Sequence, residues 1–240
     1  MNPIVLIPAR MAATRLPGKP LADINGVPMI VRVLRRAERA GSGPVWIAAG
    51  DKEIVAAVVH AGGCAVLTDP DLPSGSDRIH AALQIIDPER AFDAVINLQG
   101  DLPDLDPGAV RLVMRLLEES EADIATLAAP ITEPKDFDNP NIVKPIAAWD
   151  GDKGRALYFT RARAPSGDGP LYHHIGIYAY RRAALETFVK LPPSPLERRE
   201  KLEQLRALEA GMTIAIGRVD APPLSVDTED DLTRAREILA

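Results

Sequence analysis

At 240 residues, 46% hydrophobic and 26% charged, the chain can bury an ample core and has the composition of an ordinary globular protein. Its 28 lysines and arginines against 34 acidic residues leave a net charge of -6, which excludes the broad positive surface that general nucleic-acid or anionic-membrane binding requires. The single cysteine, Cys64, excludes a disulfide within the chain and fits a reducing compartment.

No stretch approaches the ~18 apolar residues of a membrane-spanning helix, and "MNPIVLIPAR" lacks a basic export region, so a cytoplasmic protein is expected. The β-branched run Ile4–Ile7 reads as a buried strand. Met29–Ala40 reads as an amphipathic helix closed by Gly41, Val45–Ala49 as a strand, and "KEIVAAVVHAGG" as a helix. "CAVLT" (strand), "SDRIHAALQII" (helix), Ala94–Leu98 (strand), Pro107–Ser120 (helix) and Ile124–Ala129 (strand) continue the alternation. Such alternation predicts βαβ units on a parallel sheet covered on both faces.

After Pro130 the pattern changes. Two extended stretches flank the turn signal Asp150-Gly151, and "HHIGIYAYRR" is a further strand. A helix is predicted over Leu196–Ala210, a strand in "MTIAIGRV", and a closing helix in "VDTEDDLTRAREILA". The expected organisation is a single domain. A nucleotide-binding α/β half spans about 1–130, a mixed-sheet insertion about 131–211, and residues 212–240 return to the core. Cys64, Met11, Met29, Met114 and Met212 are expected in the core.

Ligands of open α/β sheets sit beyond the carboxyl ends of the strands, and three segments fall there. The loop after the first strand, "PARMAATRLPGKPL", carries Arg10, Arg15 and Lys19 and no carboxylate, a composition suited to a triphosphate or to plain solvation. It matches neither the Walker loop nor the dinucleotide fingerprint. "VINLQGD" sets Asp101 just past a central strand, where it could hold a hard cation or merely make a turn. In "SVDTEDDL", Asp227 could bind metal, or Asp227 or Thr228 could cap the last helix. "SGSDR" places Arg78 at a helix start, as a base reader or part of a cap. The histidines lack metal-ligand spacing, and adjacent His173 and His174 face opposite sides of a strand.

The ordered motifs "IPARMAATRLPGKPL", "SGSDR", "NLQGD", "NPNIVK", "ALYFTRA", "HIGIYAYR", "PSPLE", "LEQLR" and "VDTEDDL" run over nearly the whole chain, which resembles the 3-deoxy-manno-octulosonate (KDO) cytidylyltransferase family. The resemblance implies an α/β nucleotide-diphospho-sugar transferase (Rossmann-like) fold, a Mg²⁺ requirement and a homodimer. It implies the reaction of CTP with KDO to give CMP-KDO and pyrophosphate, for lipopolysaccharide. By the same resemblance Pro8, Ala9, Arg10, Arg15, Lys19, Ser74, Gly75 and Arg78 bind the nucleotide. Asp101 and Asp227 hold metal and, with Lys19, serve catalysis. Gln99, His174, Glu203 and Gln204 line the sugar-acid pocket, with His174 and Gln204 as donors and Glu203 as an acceptor.

The chain departs from the family at Leu102, where an acidic residue is usual, at His173, where arginine is usual, and in a short "RAPSGDGPLYH" stretch. These departures open the choice of sugar acid, an amino-substituted KDO included. The rivals are a nucleotidylyltransferase of the same fold acting on another sugar acid or a sugar 1-phosphate, and a nucleotide-binding protein without catalysis. The sugar 1-phosphate class usually carries a glycine-rich first loop, which "ARMAATR" lacks, and a pure binder needs no pair of carboxylates.

Overall fold

Ile4 to Ile7 are fully buried within β1 (Pro3–Ala9), as a run apolar on both faces must be in a covered parallel sheet. The computed structural model describes residues 1–12 and 15–240. After β1, a tight hairpin pairs β2 (Asp23–Ile24) with β3 (Val27–Pro28). Its turn residues Asn25 and Gly26 both have positive φ, the condition for a type I′ turn and the reason for an Asn-Gly pair. Next come α1 (Met29–Ala40), β4 (Val45–Ala49), α2 (Lys52–His60), β5 (Cys64–Leu67), α3 (Gly75–Ile86), β6 (Ala94–Asn97) and α4 (Pro107–Glu118). Then follow β7 (Ile124–Pro130), β8 (Lys144–Asp150), β9 (Lys153–Thr160), β10 (Tyr172–Arg181), α5 (Arg182–Phe188), α6 (Pro195–Glu200), α7 (Gln204–Glu209), β11 (Ile214–Arg218) and α8 (Glu229–Ile238).

The chain divides into two units, Met1–Arg111 with Pro223–Ala240, and Leu112–Pro222. In the first, β5, β4, β1 and β6 lie side by side and all parallel, with Val5 level with Val45 on one side and Ile96 on the other. In the second the order is β10-β7-β11-β9-β8; β7 runs parallel to β11 and antiparallel to β10, and β9 is antiparallel to both β11 and β8. The expected change at about Pro130 and return at 212 compare with divisions after Arg111 and Pro222.

Three expectations are corrected. The single helix over Leu196–Ala210 is two short helices, α6 and α7, separated at Lys201, whose φ of 56° is left-handed. At the break Arg161 donates to the carbonyls of Glu200 (2.9 Å) and Lys201 (3.4 Å), satisfying groups that a continuous helix would use itself. Cys64 is exposed rather than core, because it starts β5, which ends the strand order and pairs only with β4. Of the methionines, Met29 and Met114 are buried, whereas Met11 and Met212 are only half-buried. Sequence reading missed the β2–β3 hairpin and α5. Among the described residues no helix is long and apolar enough to cross a membrane.

Candidate active site

The described residues of the loop after β1 are tied down at both ends. The Met11 N–H donates to the Asp51 carboxylate at 2.7 Å, and the Gly18 N–H returns to the Met11 carbonyl at 3.3 Å. Leu16 anchors it from below. Its side chain is buried in a cluster with Ile24, Met29, Val226, Leu232 and Ala235, so one small apolar core fixes both the cationic loop and the segment that carries Asp227. The Val226 N–H donates to the Asp101 carbonyl at 3.0 Å, tying the two acidic loops together.

On this base the ammonium of Lys19 lies between two carboxylates, 2.8 Å from Asp101 Oδ2 and 2.9 Å from Asp227 Oδ1. Arg15 meets the other oxygen of Asp227 at 3.2 Å. Burial alone would lower the Lys19 pKa, but Asp101 and Asp227 outweigh it and hold the group charged, above its ordinary range. Asp227 is available for this pairing because it is not the cap of α8. Thr228 is: its hydroxyl accepts the Asp231 N–H at 3.2 Å, while Asp231 accepts the N–H groups of Asp227 and Thr228. The T-x-x-D spacing of Thr228 and Asp231 was the sequence signal for this arrangement.

A cavity of about 310 Å³ opens beside Asp101. Pro8, Ala9, Arg10, Ser74, Gly75, Arg78, Gln99 and Asp101 line it, together with Leu72, which sequence reading did not name. The structure therefore brings most of the expected nucleotide residues to one place, at the carboxyl ends of parallel strands. Ser74 also caps α3, accepting the Asp77 N–H at 3.1 Å and donating to the Asp77 carboxylate at 2.7 Å. Leu102, where the resemblance leads one to expect an acidic residue, is 6% exposed and serves packing.

The remaining expected residues belong to the second unit. His174 on β10 is buried, with Phe159 edge-on at 4.9 Å and Tyr178 at 5.5 Å. Burial, helped slightly by His173, pushes its pKa down to about 3. The Thr126 hydroxyl lies 3.0 Å from His174 Nε2 and within hydrogen-bond reach of the Ile177 carbonyl (2.8 Å) and the Ile175 carbonyl (3.2 Å). Gln204 is buried at the start of α7, and the Glu203 carboxylate lies 3.9 Å from Arg206.

Chemically, the first unit offers cations able to gather phosphates and a pair of carboxylates of all-oxygen character suited to a hard dication. Among the described residues no group of three or more His, Cys, Asp or Glu side chains is placed to hold a metal by itself.

A family model described as cytidylyltransferase matches residues 4–214. A 3-deoxy-manno-octulosonate cytidylyltransferase of Parvibaculum lavamentivorans is 62% identical over 240 residues, covering 100% of this chain and 93% of that protein. One from Rhodopseudomonas palustris (strain BisB18) is 62% identical over 238 residues, covering 99% and 97%. A solved structure described as CMP:2-keto-3-deoxy-manno-octonic acid synthetase complexed with CTP superposes with a TM-score of 0.91 at 37% identity, covering 100% of this chain and 98% of that one. With a family model matching residues 4–214 and relatives of this identity along its full length, the chain belongs to the 3-deoxy-manno-octulosonate cytidylyltransferase family.

Proposed function

We propose that this protein transfers CMP from CTP to KDO, releasing pyrophosphate, as part of lipopolysaccharide synthesis. The observation that carries the reading is the ammonium of Lys19 set between Asp101 and Asp227 beside a cavity lined by Arg10 and Arg78. A triphosphate adds negative charge that Arg10, Arg15 and Lys19 can gather. A sugar hydroxyl then attacks the α-phosphorus in line; its oxygen forms the new ester bond, the bond to the β-phosphate oxygen breaks, and the hydroxyl proton leaves. Such a reaction depends mostly on positioning and charge neutralisation, which the cationic loop supplies to the departing pyrophosphate.

Asp101 and Asp227 would hold Mg²⁺, which suits one or two carboxylates completed by substrate phosphates. When bound, the ion lowers the pKa of the attacking hydroxyl and polarises the α-phosphate. Lys19 already keeps positive charge between these carboxylates, the position that suits a cation. Gln99, His174, Glu203 and Gln204 are assigned to the sugar acid.

A second reading, for 8-amino-KDO, stays open because the chain departs from the family pattern at His173 and in the short "RAPSGDGPLYH" stretch. We also assign a homodimer, through the segment from Pro130 to Gly211, in the cytoplasm. Pyrophosphate release is to be measured with four nucleotides and with KDO, 8-amino-KDO, sialic acid and a sugar 1-phosphate, with and without Mg²⁺. CTP with KDO or its amino analogue is expected to be preferred, and Mg²⁺ to be required. A preference for sialic acid or a sugar 1-phosphate overturns the substrate. Sedimentation as a monomer at micromolar concentration overturns the dimer.

A further inference from the structure

Arg78 is a nucleotide candidate, yet it is 2% exposed and its guanidinium is held from behind. Nη1 donates to the Thr68 hydroxyl at 2.7 Å and to the Asp69 carbonyl at 2.9 Å, and Nη2 donates to the Pro70 carbonyl at 3.1 Å. Of the five guanidinium hydrogens this leaves one on Nη2 and that on Nε for the cavity that Arg78 lines.

Thr68 gives the arrangement its direction. Its buried hydroxyl donates to the Ala49 carbonyl at the end of β4, at 3.0 Å, so only its lone pairs face Arg78. The chain of bonds therefore runs one way, from Arg78 through Thr68 into the backbone of the sheet. The residue after Ala49 is Gly50, whose N–H is fixed to the Ala9 carbonyl at 2.8 Å. A Cβ at Gly50 would fall 2.8 Å from Arg78 Nη1, 3.2 Å from Arg78 Cζ and 3.3 Å from Arg10 Cβ. The bare backbone at Gly50 thus lets two arginines of the cavity approach the sheet together.

We propose that Thr68 and Gly50, neither of which lines the cavity, are positioning residues for nucleotide recognition. Thr68 aims Arg78, and Gly50 leaves the space in which it lies. The ligand group served is an uncharged acceptor on the nucleoside, a base carbonyl or a ribose oxygen, reached by the remaining guanidinium hydrogens. The proposal rests on the reading of Arg78 as a nucleotide residue.

The test compares Thr68→Val, Thr68→Ser, Gly50→Ala and Arg78→Met with the parent protein. Dissociation constants for CTP, CMP and pyrophosphate are measured by calorimetry, with thermal unfolding as a control for folding. Loss of a hydrogen bond that orients a charged group predicts about tenfold weaker CTP and CMP for Thr68→Val and Gly50→Ala. Pyrophosphate binding stays within about twofold, because pyrophosphate lacks the nucleoside that Arg78 reaches. Thr68→Ser restores CTP and CMP binding to within about twofold, since it keeps the hydroxyl. If Arg78→Met weakens CMP and Thr68→Val does not, the positioning proposal is overturned. It is also overturned if Thr68→Val weakens pyrophosphate as much as CMP, which marks general loosening. If Arg78→Met leaves CTP and CMP unchanged, the nucleotide reading of Arg78 fails instead. Should Gly50→Ala not fold, the Thr68 pair decides alone.

Discussion

In the first unit the charges of interest stand on loops at the ends of parallel strands. Lys19, Asp101, Asp227 and Arg15 answer one another across partly exposed contacts, with side-chain exposures of 17%, 25%, 36% and 64%. The second unit has exposed pairs of its own, Lys153 with Glu119, Arg163 with Asp138 and Arg218 with Asp152, but around its short helices the paired charges are enclosed. Arg206 grips Glu197 with Nε at 2.8 Å and Nη2 at 2.5 Å, stacks over Phe188, and donates to the Leu191 carbonyl. Glu200 accepts from the Thr160 hydroxyl and the Arg161 N–H, and Arg181 takes up the carbonyls of Leu117, Ser120 and Ala122. A partly exposed ion pair is weak enough for a ligand to displace, whereas an enclosed one is costly to break. The first arrangement suits chemistry on an arriving polyanion; the second holds a sheet and its short helices in place.

The largest test of this contrast is to remove charge from the first nest. Asp101→Asn or Asp227→Asn is expected to lower kcat by on the order of a thousandfold, about 4 kcal/mol, while thermal unfolding changes little. A variant that keeps near-normal kcat but unfolds at lower temperature would place these carboxylates with the structural charges of the second unit. The matching test there is Arg206→Met, which leaves Glu197 without its enclosed partner and is expected to cost about 3 kcal/mol of stability. Denaturant midpoints measure that loss, and a drop in kcat as large as that of Asp101→Asn would erase the contrast.

What sequence reading could see follows the same division. The parallel half announced itself through fully apolar runs and helix-length stripes, and α1 and β4 have the predicted bounds, Met29–Ala40 and Val45–Ala49. The cationic loop and the acidic residues at strand ends were legible because composition alone marks them. The ambiguity at Asp227 persisted because capping and metal binding call for the same residue types in the same place, and only geometry hands the cap to Thr228. The break at Lys201 was invisible because Arg161, which takes up the carbonyls it frees, is remote in sequence. That Thr126 engages His174 Nε2 was invisible because the two are remote in sequence.

His174 supplies a pH test of the enclosed half. Burial pushes its folded pKa down to about 3, whereas an unfolded histidine titrates near 6.5. Below pH 6.5 the unfolded chain takes up a proton that the folded one does not, so stability is complete above that pH and declines as pH falls toward 3. At pH 5 the loss from this residue is about 2 kcal/mol. His173, also depressed chiefly by burial, adds in the same direction. Urea midpoints at pH 7 and pH 5 are expected to differ, and His174→Gln, which keeps a hydrogen-bonding group for Thr126 but does not titrate, to narrow the difference. An unchanged difference would remove His174 as its cause.

The smallest effect sharpens the division within the first unit itself. Arg15 and Lys19 are exposed enough to turn from the carboxylates to phosphate, so their contribution should follow the charge of the ligand. Arg15→Ala and Lys19→Ala are expected to weaken CTP by about tenfold, one lost charge-assisted contact, and CMP much less, because CMP lacks the β and γ groups. The same substitution at Lys19 leaves Asp101 facing Asp227 without the ammonium between them. Two carboxylates relieved of their counter-ion attract a dication more strongly, so Mn²⁺ binding without nucleotide, followed by electron paramagnetic resonance, should tighten in Lys19→Ala. Equal loss of CTP and CMP would move these cations away from the triphosphate. Unchanged or weaker Mn²⁺ binding would mean that the two carboxylates do not serve one cation, and that Lys19 holds the loops together in the manner of Arg206.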